Sequence, residues 1–178
     1  LDKKIKLMDG DLLIGIESSG AHSNGYSLIR KILKDRKISL SSVLPNSKKT
    51  IGKLLIEPTK IYVSPILDLY NKNILKSCAH ITGGGIIENL PRVVTKSLCA
   101  HINLNNWKLP PLFKWLMSIG ISEREMLKTF NCGYGMIAII DKKNISKFNT
   151  ILKKHKLKST LIGELKNKKK NTRRNILF

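Results

Sequence analysis

The sequence predicts an α+β fold, a mixed β-sheet packed with helices, and three observations carry that prediction. Short apolar runs of strand length, such as residues 12–16 and 136–140, are interspersed with segments whose apolar residues recur at helical spacing. The two kinds of segment do not alternate strictly, as a doubly wound parallel sheet would require. Two glycine-rich stretches, SSGAHSNG at 18–25 and HITGGG at 80–85, each follow an apolar run and precede a helical pattern. With 178 residues, 42% of them hydrophobic and 25% charged, the chain is long enough for one domain with its own core.

Taken in order, Asp9-Gly10 marks a turn and residues 12–16 a buried strand. Tyr26, Ile29, Ile32 and Leu33 then form one face of a helix, with Ser23 or Asn24 as N-cap. Residues 39–49 are polar and loop-like, and a short helix over 51–56 ends ahead of Glu57-Pro58, because the residue before proline avoids the helical region. Ser64-Pro65 supplies an N-cap and first helical position for Ile66, Leu67 and Leu69. A strand over 78–81 opens onto the second glycine loop, and a brief helix through Ile86, Ile87 and Leu90 is broken at Pro91. Residues 98–102 read as a strand. Pro110-Pro111 starts a helix carrying Leu112, Trp115, Leu116 and Ile119, closed by Gly120. Ser122 and Glu125 form a capping box. After the strand at 136–140, Asn144 caps a helix bearing Ile145, Phe148, Ile151 and Leu152; strands at 160–165 and, beyond a basic linker, 175–178 complete the pattern. No internal repeat or domain break is present.

The net charge of +21 is concentrated late: residues 142–178 hold 13 basic residues and one acidic one. Such a tail can bind phosphate backbones, but aromatic residues are only 6% of the chain, so platforms for base stacking are lacking. Lys, Asn and Ile are all over-used, which reads as compositional drift absorbed on solvated faces, and specific nucleic-acid binding is not expected. No apolar run approaches the ~20 residues of a membrane span, and the start lacks a signal-peptide pattern. The first residue is Leu, so a piece of a longer protein is expected. Cys78, Cys99 and Cys132 are odd in number and lack CxxC spacing, which points to a reducing compartment and to neither disulfides nor zinc.

The glycine loops carry the candidate chemistry. In the first, Gly20 and Gly25 permit close backbone approach, and Ser18, Ser19, Ser23 and Asn24 add short polar groups. Free amides ahead of the Tyr26 helix suit an anion, although an ordinary strand-to-helix turn accounts for these residues as well. In the second, three consecutive glycines, Gly83, Gly84 and Gly85, lose much entropy on folding, so a plain turn rarely needs them all; they suit a nest of main-chain N–H groups. His80 and His22 stand in these loops, each either a structural hydrogen-bonder or a proton-transfer group. In TFNCGYGM, Asn131, Gly133 and Gly135 enter the strongest strand, and Cys132, with no basic neighbour, reads as a buried thiol rather than a nucleophile. No metal-ligand spacing is present.

The stretches DGDLLIGIESSGAHSNGYSLIRK, LLIEPTKIYVSPIL, AHITGGGIIENLPRV and EMLKTFNCGYGM, in this order, resemble the C-terminal half of the aminoimidazole ribonucleotide synthetase family, the phosphoribosylformylglycinamidine cyclo-ligases. The resemblance runs from about residue 9 to about residue 140 and weakens beyond. It implies an ATP-driven ring closure in purine biosynthesis: ATP phosphorylates the formyl amide oxygen of formylglycinamidine ribonucleotide, a nitrogen attacks that carbon, and phosphate leaves. It further implies Mg²⁺ with the nucleotide, a cytoplasmic homodimer, and a site in the cleft between two domains. Most ATP and metal contacts would come from an N-terminal domain absent from this chain. On this reading residues 1–8 are linker, 9–165 the C-terminal domain, and 166–178 a basic linker with a terminal edge strand. By position, Ser18, Ser19, Gly20, His22, Ser23 and Asn24, with Thr82, Gly83, Gly84 and Gly85, would hold phosphate or ribose, and His80 and Asn131 would lie near the reacting centre. A non-catalytic domain binding phosphorylated metabolites, or a basic nucleic-acid-binding domain, are the alternatives.

Overall fold

The computed structural model describes residues 5–45, 47–169 and 175–178. Its elements are β1 (Leu12–Glu17), α1 (Tyr26–Asp35), α2 (Ile51–Leu55), α3 (Val63–Asn71), β2 (Leu75–His80), α4 (Gly85–Asn89), β3 (Leu98–Ile102), α5 (Pro111–Ser118), α6 (Glu123–Thr129), β4 (Tyr134–Ile140), α7 (Ile145–Lys154), β5 (Ser159–Asn167) and β6 (Ile176–Leu177). The strands form one mixed sheet in the order β2-β4-β1-β5-β3-β6, antiparallel except for the parallel β3–β6 edge pair. This is the α+β fold expected. No helix is long and apolar enough to cross a membrane among the described residues.

The central strands β1 and β4 are buried on both faces, which is why their sequences are continuous apolar runs rather than alternating ones. Successive side chains point to opposite faces. Leu12, Ile14 and Ile16 with Met136, Ala138 and Ile140 pack against Leu69 of α3 and Phe148, Ile151 and Leu152 of α7. Leu13 with Ile137 and Ile139 faces the larger core, built with Ile29 of α1, Ile86 of α4, Phe113 and Leu116 of α5 and Met126 of α6. Helices therefore cover both faces of the β2-β4-β1 half, whose strand ends carry the glycine loops.

Several local expectations change. Neither Ser23 nor Asn24 caps α1; its N-cap is Gly25 at φ +75°, where a Cβ would run into the ring of Phe130. Helix α3 starts before Ser64-Pro65, with Tyr62 as N-cap, because the hydroxyl of Tyr62 is fixed on the Glu17 carbonyl at 2.8 Å. A 3₁₀ turn, Lys142–Asn144, leads into α7, and the capping carboxylate is that of Asp141, accepting from the Lys143 amide at 3.0 Å; Asn144 makes no side-chain cap. Ser122 accepts from the Glu125 amide at 3.3 Å, but the Glu125 carboxylate accepts from Thr129 Oγ1 at 2.6 Å, so half of the capping box forms. Gly120 closes α5 as expected, at φ +98°, with Ile121 N–H donating to the Leu116 carbonyl at 3.2 Å. Strand β5 runs on to Asn167, taking in part of the basic stretch; residues 170–174 of that stretch lie outside the described ones.

Candidate functional site

Strand β4 lies between β1 and β2 and is antiparallel to both, so the exits of β1 and β2 and the entrance of β4 share one edge of the sheet. Three segments remote in sequence meet there: the 18–25 loop, the 80–85 loop and residues 129–134. The Ser18 amide donates to the Gly133 carbonyl and the Ile81 amide to the Gly135 carbonyl, both at 2.8 Å.

Asn131, 1% exposed, ties the first loop down. Its Nδ2 donates to the Gly20 carbonyl at 2.8 Å, and its Oδ1 accepts from Ser18 Oγ at 3.1 Å and from the Gly133 amide at 2.9 Å. Ser19 Oγ donates to the Pro58 carbonyl at 2.5 Å, joining the loop to the α2–α3 connection. That connection reaches back twice more: Lys60 Nζ lies 2.6 Å from Glu17 Oε1, and Tyr62 donates to the Glu17 carbonyl.

His22 sits inside the loop at φ +54° and is 5% exposed. Its Nε2 accepts from the Ser19 amide at 3.2 Å, so the neutral ring carries its proton on Nδ1, a buried atom with no hydrogen-bond partner among the described residues. Burial first, then the nearby His80 and Lys60, push its pKa down to about 4. The Tyr62 ring lies between the two histidines, its centroid 6.1 Å from that of His22 and 6.2 Å from that of His80. Burial and the Glu17 charge push the Tyr62 phenol up, so it stays a neutral donor. His80 is exposed at the end of β2, and its imidazole makes no side-chain hydrogen bond among the described residues.

The second loop is organised by Asn89, which is 5% exposed and was not singled out in the sequence. Its Nδ2 lies 2.7 Å from the Gly85 carbonyl, 3.0 Å from that of Gly83 and 3.4 Å from that of Thr82, and its Oδ1 lies 3.4 Å from Thr82 Oγ1. In a trans peptide the N–H points opposite to the C=O. Drawing the Thr82 and Gly83 carbonyls toward Asn89 therefore turns the Gly83 and Gly84 amides away from it, and neither donates to any described group. Gly84 and Gly85 adopt φ +89° and +56°. The two loops adjoin: a Cβ at Gly83 would meet Asn24 Oδ1 at 3.7 Å.

All twelve residues proposed from the sequence lie at this edge of the sheet. Lys60 and Tyr62 join them, as does Asn89; the only trace of Asn89 in the sequence is a poor helix former inside the segment GGGIIENLP. Cys132 is buried, burial pushes its thiol up to about 12, and it donates to the Met126 carbonyl at 3.3 Å, so it is no nucleophile at neutral pH. The described residues do not fit Mg²⁺: they contain no group of three or more His, Cys, Asp or Glu side chains able to hold a metal, and the site's Glu17 is paired with Lys60. What the edge offers is outward main-chain amides, hydroxyls and an exposed imidazole, a set suited to an anionic, hydroxyl-rich ligand.

Residues 8–174 match the family model described as AIR synthase related protein, C-terminal domain, and the chain belongs to that family. Its relatives carry a more particular name. It is 43% identical over 162 residues to the chloroplastic phosphoribosylformylglycinamidine cyclo-ligase of Arabidopsis thaliana, covering 90% of this chain and 42% of that one. The chain spans less than half the length of this and comparable curated relatives. Among solved structures it is similar in fold to thiamine-monophosphate kinase from Stenotrophomonas maltophilia K279a (TM-score 0.64, 12% identity, 97% of this chain and 51% of that one). It is also similar to T. maritima PurL complexed with ATP (TM-score 0.52, 13% identity, 92% of this chain and 23% of that one).

Proposed function

We propose that this chain is the C-terminal half of an ATP-dependent cyclo-ligase that converts formylglycinamidine ribonucleotide to aminoimidazole ribonucleotide in purine biosynthesis. The observation that carries the proposal is the Asn89-ordered glycine loop, with the Gly83 and Gly84 amides turned outward beside the Asn131-clamped 18–25 loop. Such amides bind a phosphate without a lysine loop. In this reading the 82–85 loop and the Ser18, Ser19, Ser23 and Asn24 groups hold the ribose phosphate. His80 transfers a proton at the closing ring, and Asn131 acts from beneath, fixing the loop on which the substrate rests. His22 stays neutral and braces Ser19. ATP supplies the phosphoryl group that activates the formyl oxygen. With no carboxylate cluster in the described residues, Mg²⁺ and most nucleotide contacts are assigned to the domain that makes up the rest of the relatives' length. A cytoplasmic homodimer follows from the same family reading.

The test is calorimetric titration of the 178-residue chain with formylglycinamidine ribonucleotide. Weak, saturable binding that Gly83→Ala diminishes is expected. Equal heats for both proteins, with the variant folded, would reduce the triple glycine to a turn.

A further inference from the structure

Helices α3 and α7 cover only part of their side of the sheet. The core they build holds residues of β1, β2 and β4 but none of β3, β5 or β6. Cross-strand partners share a face, so Leu161, opposite Ile14, and Glu164, opposite Leu12, stand on this same side, and His101 follows as the partner of Glu164. Leu161 is 46% exposed, and the exposed His101 imidazole makes no side-chain hydrogen bond among the described residues. The result is an open trough made of two hollows that meet at His101. One, of about 560 Å³, has Ile102, Leu161 and Gly163 as its floor, with Asn106 and Lys142 beside them. The other, of about 420 Å³, gathers Lys166, Lys168 and Lys169 around Cys99 and Leu177. Asp9 before β1 and Lys142 after β4 also line it, so the trough lies at the opposite ends of these strands from the glycine loops.

We propose that this trough binds an organic polyphosphate bearing a ring, of the nucleoside di- or triphosphate class. Its charge selects an anion. Both acids present are engaged, Glu164 Oε1 with Lys166 Nζ at 2.8 Å and Asp9 Oδ1 with the Asn167 amide at 3.2 Å, while Lys142 and Lys169 have no acidic partner among the described residues. Its shape selects a small molecule, since two adjoining hollows of these volumes are of ligand size. Cys99 in one and Asn103 in the other are roughly 13 Å apart at the rise of an extended strand, room for a ring at one end and a short phosphate chain at the other. The ring lies on Leu161 and Gly163, the phosphates among Lys166, Lys168 and Lys169, and His101 donates between them. Other occupants fit less well. A second copy brings the same +21 charge and is repelled. The apolar stripe of a helix would bury the Glu164–Lys166 pair and His101 without partners. A nucleic-acid strand finds no Phe, Tyr or Trp in the trough on which successive bases could stack.

The experiment is calorimetric titration of the 178-residue chain, whose two cores close within it, with ATP in the presence of EDTA. Inorganic tripolyphosphate and an oligouridylate are titrated in parallel. The expected result is saturable ATP binding, at least tenfold tighter than that of tripolyphosphate. Lys169→Glu and Leu161→Asp each weaken it at least fivefold, at opposite ends of the trough, and Gly83→Ala leaves it unchanged. Thermal unfolding checks that the variants fold; should Leu161→Asp not fold, His101→Ala reads the same hollow. No saturable ATP binding at millimolar concentration overturns the proposal, as does binding that both trough variants leave intact. A loss in Gly83→Ala in their place assigns the nucleotide to the glycine loops. Tripolyphosphate binding as tightly as ATP removes the ring from the trough and overturns the proposal. Oligouridylate binding tighter than ATP, and lost in the same variants, makes the face a polynucleotide surface and overturns it too.

Discussion

At the scale of single residues, the conformations in the two loops set what substitution does. Gly84 sits at φ +89°, and a Cβ there would strike the Glu88 side chain, so Gly84→Ala is expected to cost more than about 1 kcal/mol of stability. Gly83 has no such constraint: its only near neighbour is Asn24 Oδ1 at 3.7 Å. Gly83→Ala is therefore expected to keep its melting temperature within a few degrees while raising the substrate KM, since under the proposed binding mode the methyl group stands in the anion's path. Thermal denaturation and kinetics of the full polypeptide check both; a stable Gly83→Ala with unchanged KM would remove the amides from the binding account. His22 makes a pH prediction. Its pKa falls from 6.5 in the unfolded chain to about 4 when folded, so between these values the unfolded state binds the extra proton and stability rises with pH. The contribution is full above pH 6.5 and is lost as pH falls through 4, amounting to roughly 3 kcal/mol. Urea unfolding from pH 4 to 7 should show this slope, and His22→Asn should flatten it; parallel profiles would mean the imidazole is solvated.

At the scale of elements, the loops are held by two buried amides rather than by their own sequences. Asn131→Ala leaves the Gly20 carbonyl and the Gly133 amide without partners, each a loss of about 1–3 kcal/mol. The 18–25 loop should then exchange its amide hydrogens at least tenfold faster, while β4 remains protected. Equal exchange in both proteins would contradict the clamp. The elements themselves were largely legible. Continuous apolar runs marked β1 and β4 because both faces of those strands are covered, and proline and glycine marked the ends of α2 and α5. Caps were harder to read, because they depend on contacts from elsewhere. Phe130 packs where a side chain at the α1 cap would sit, and Glu17 fixes the Tyr62 cap from 45 residues away. Asn89 and Lys60 escaped for the same reason: each acts on groups that only the folded sheet edge brings near.

At the scale of the whole molecule, a sheet that gathers two glycine loops and the β4 entrance at one edge explains why the motifs stand so far apart in sequence. That edge has outward Gly83 and Gly84 amides and an exposed imidazole, and the described residues hold no group of carboxylates able to take a metal. Phosphoryl transfer depends on positioning and on charge neutralisation by cations, so under the proposed function the metal-dependent half of the chemistry is assigned to a second domain. The most direct measurement is formation of aminoimidazole ribonucleotide from formylglycinamidine ribonucleotide with ATP and Mg²⁺, by the 178-residue chain, by the full polypeptide and by its His80→Ala variant. The account predicts product from the full polypeptide, none from the 178-residue chain, and a loss of turnover in His80→Ala larger than any fall in its melting temperature. Robust turnover by the 178-residue chain alone, or none by the full polypeptide, would contradict it.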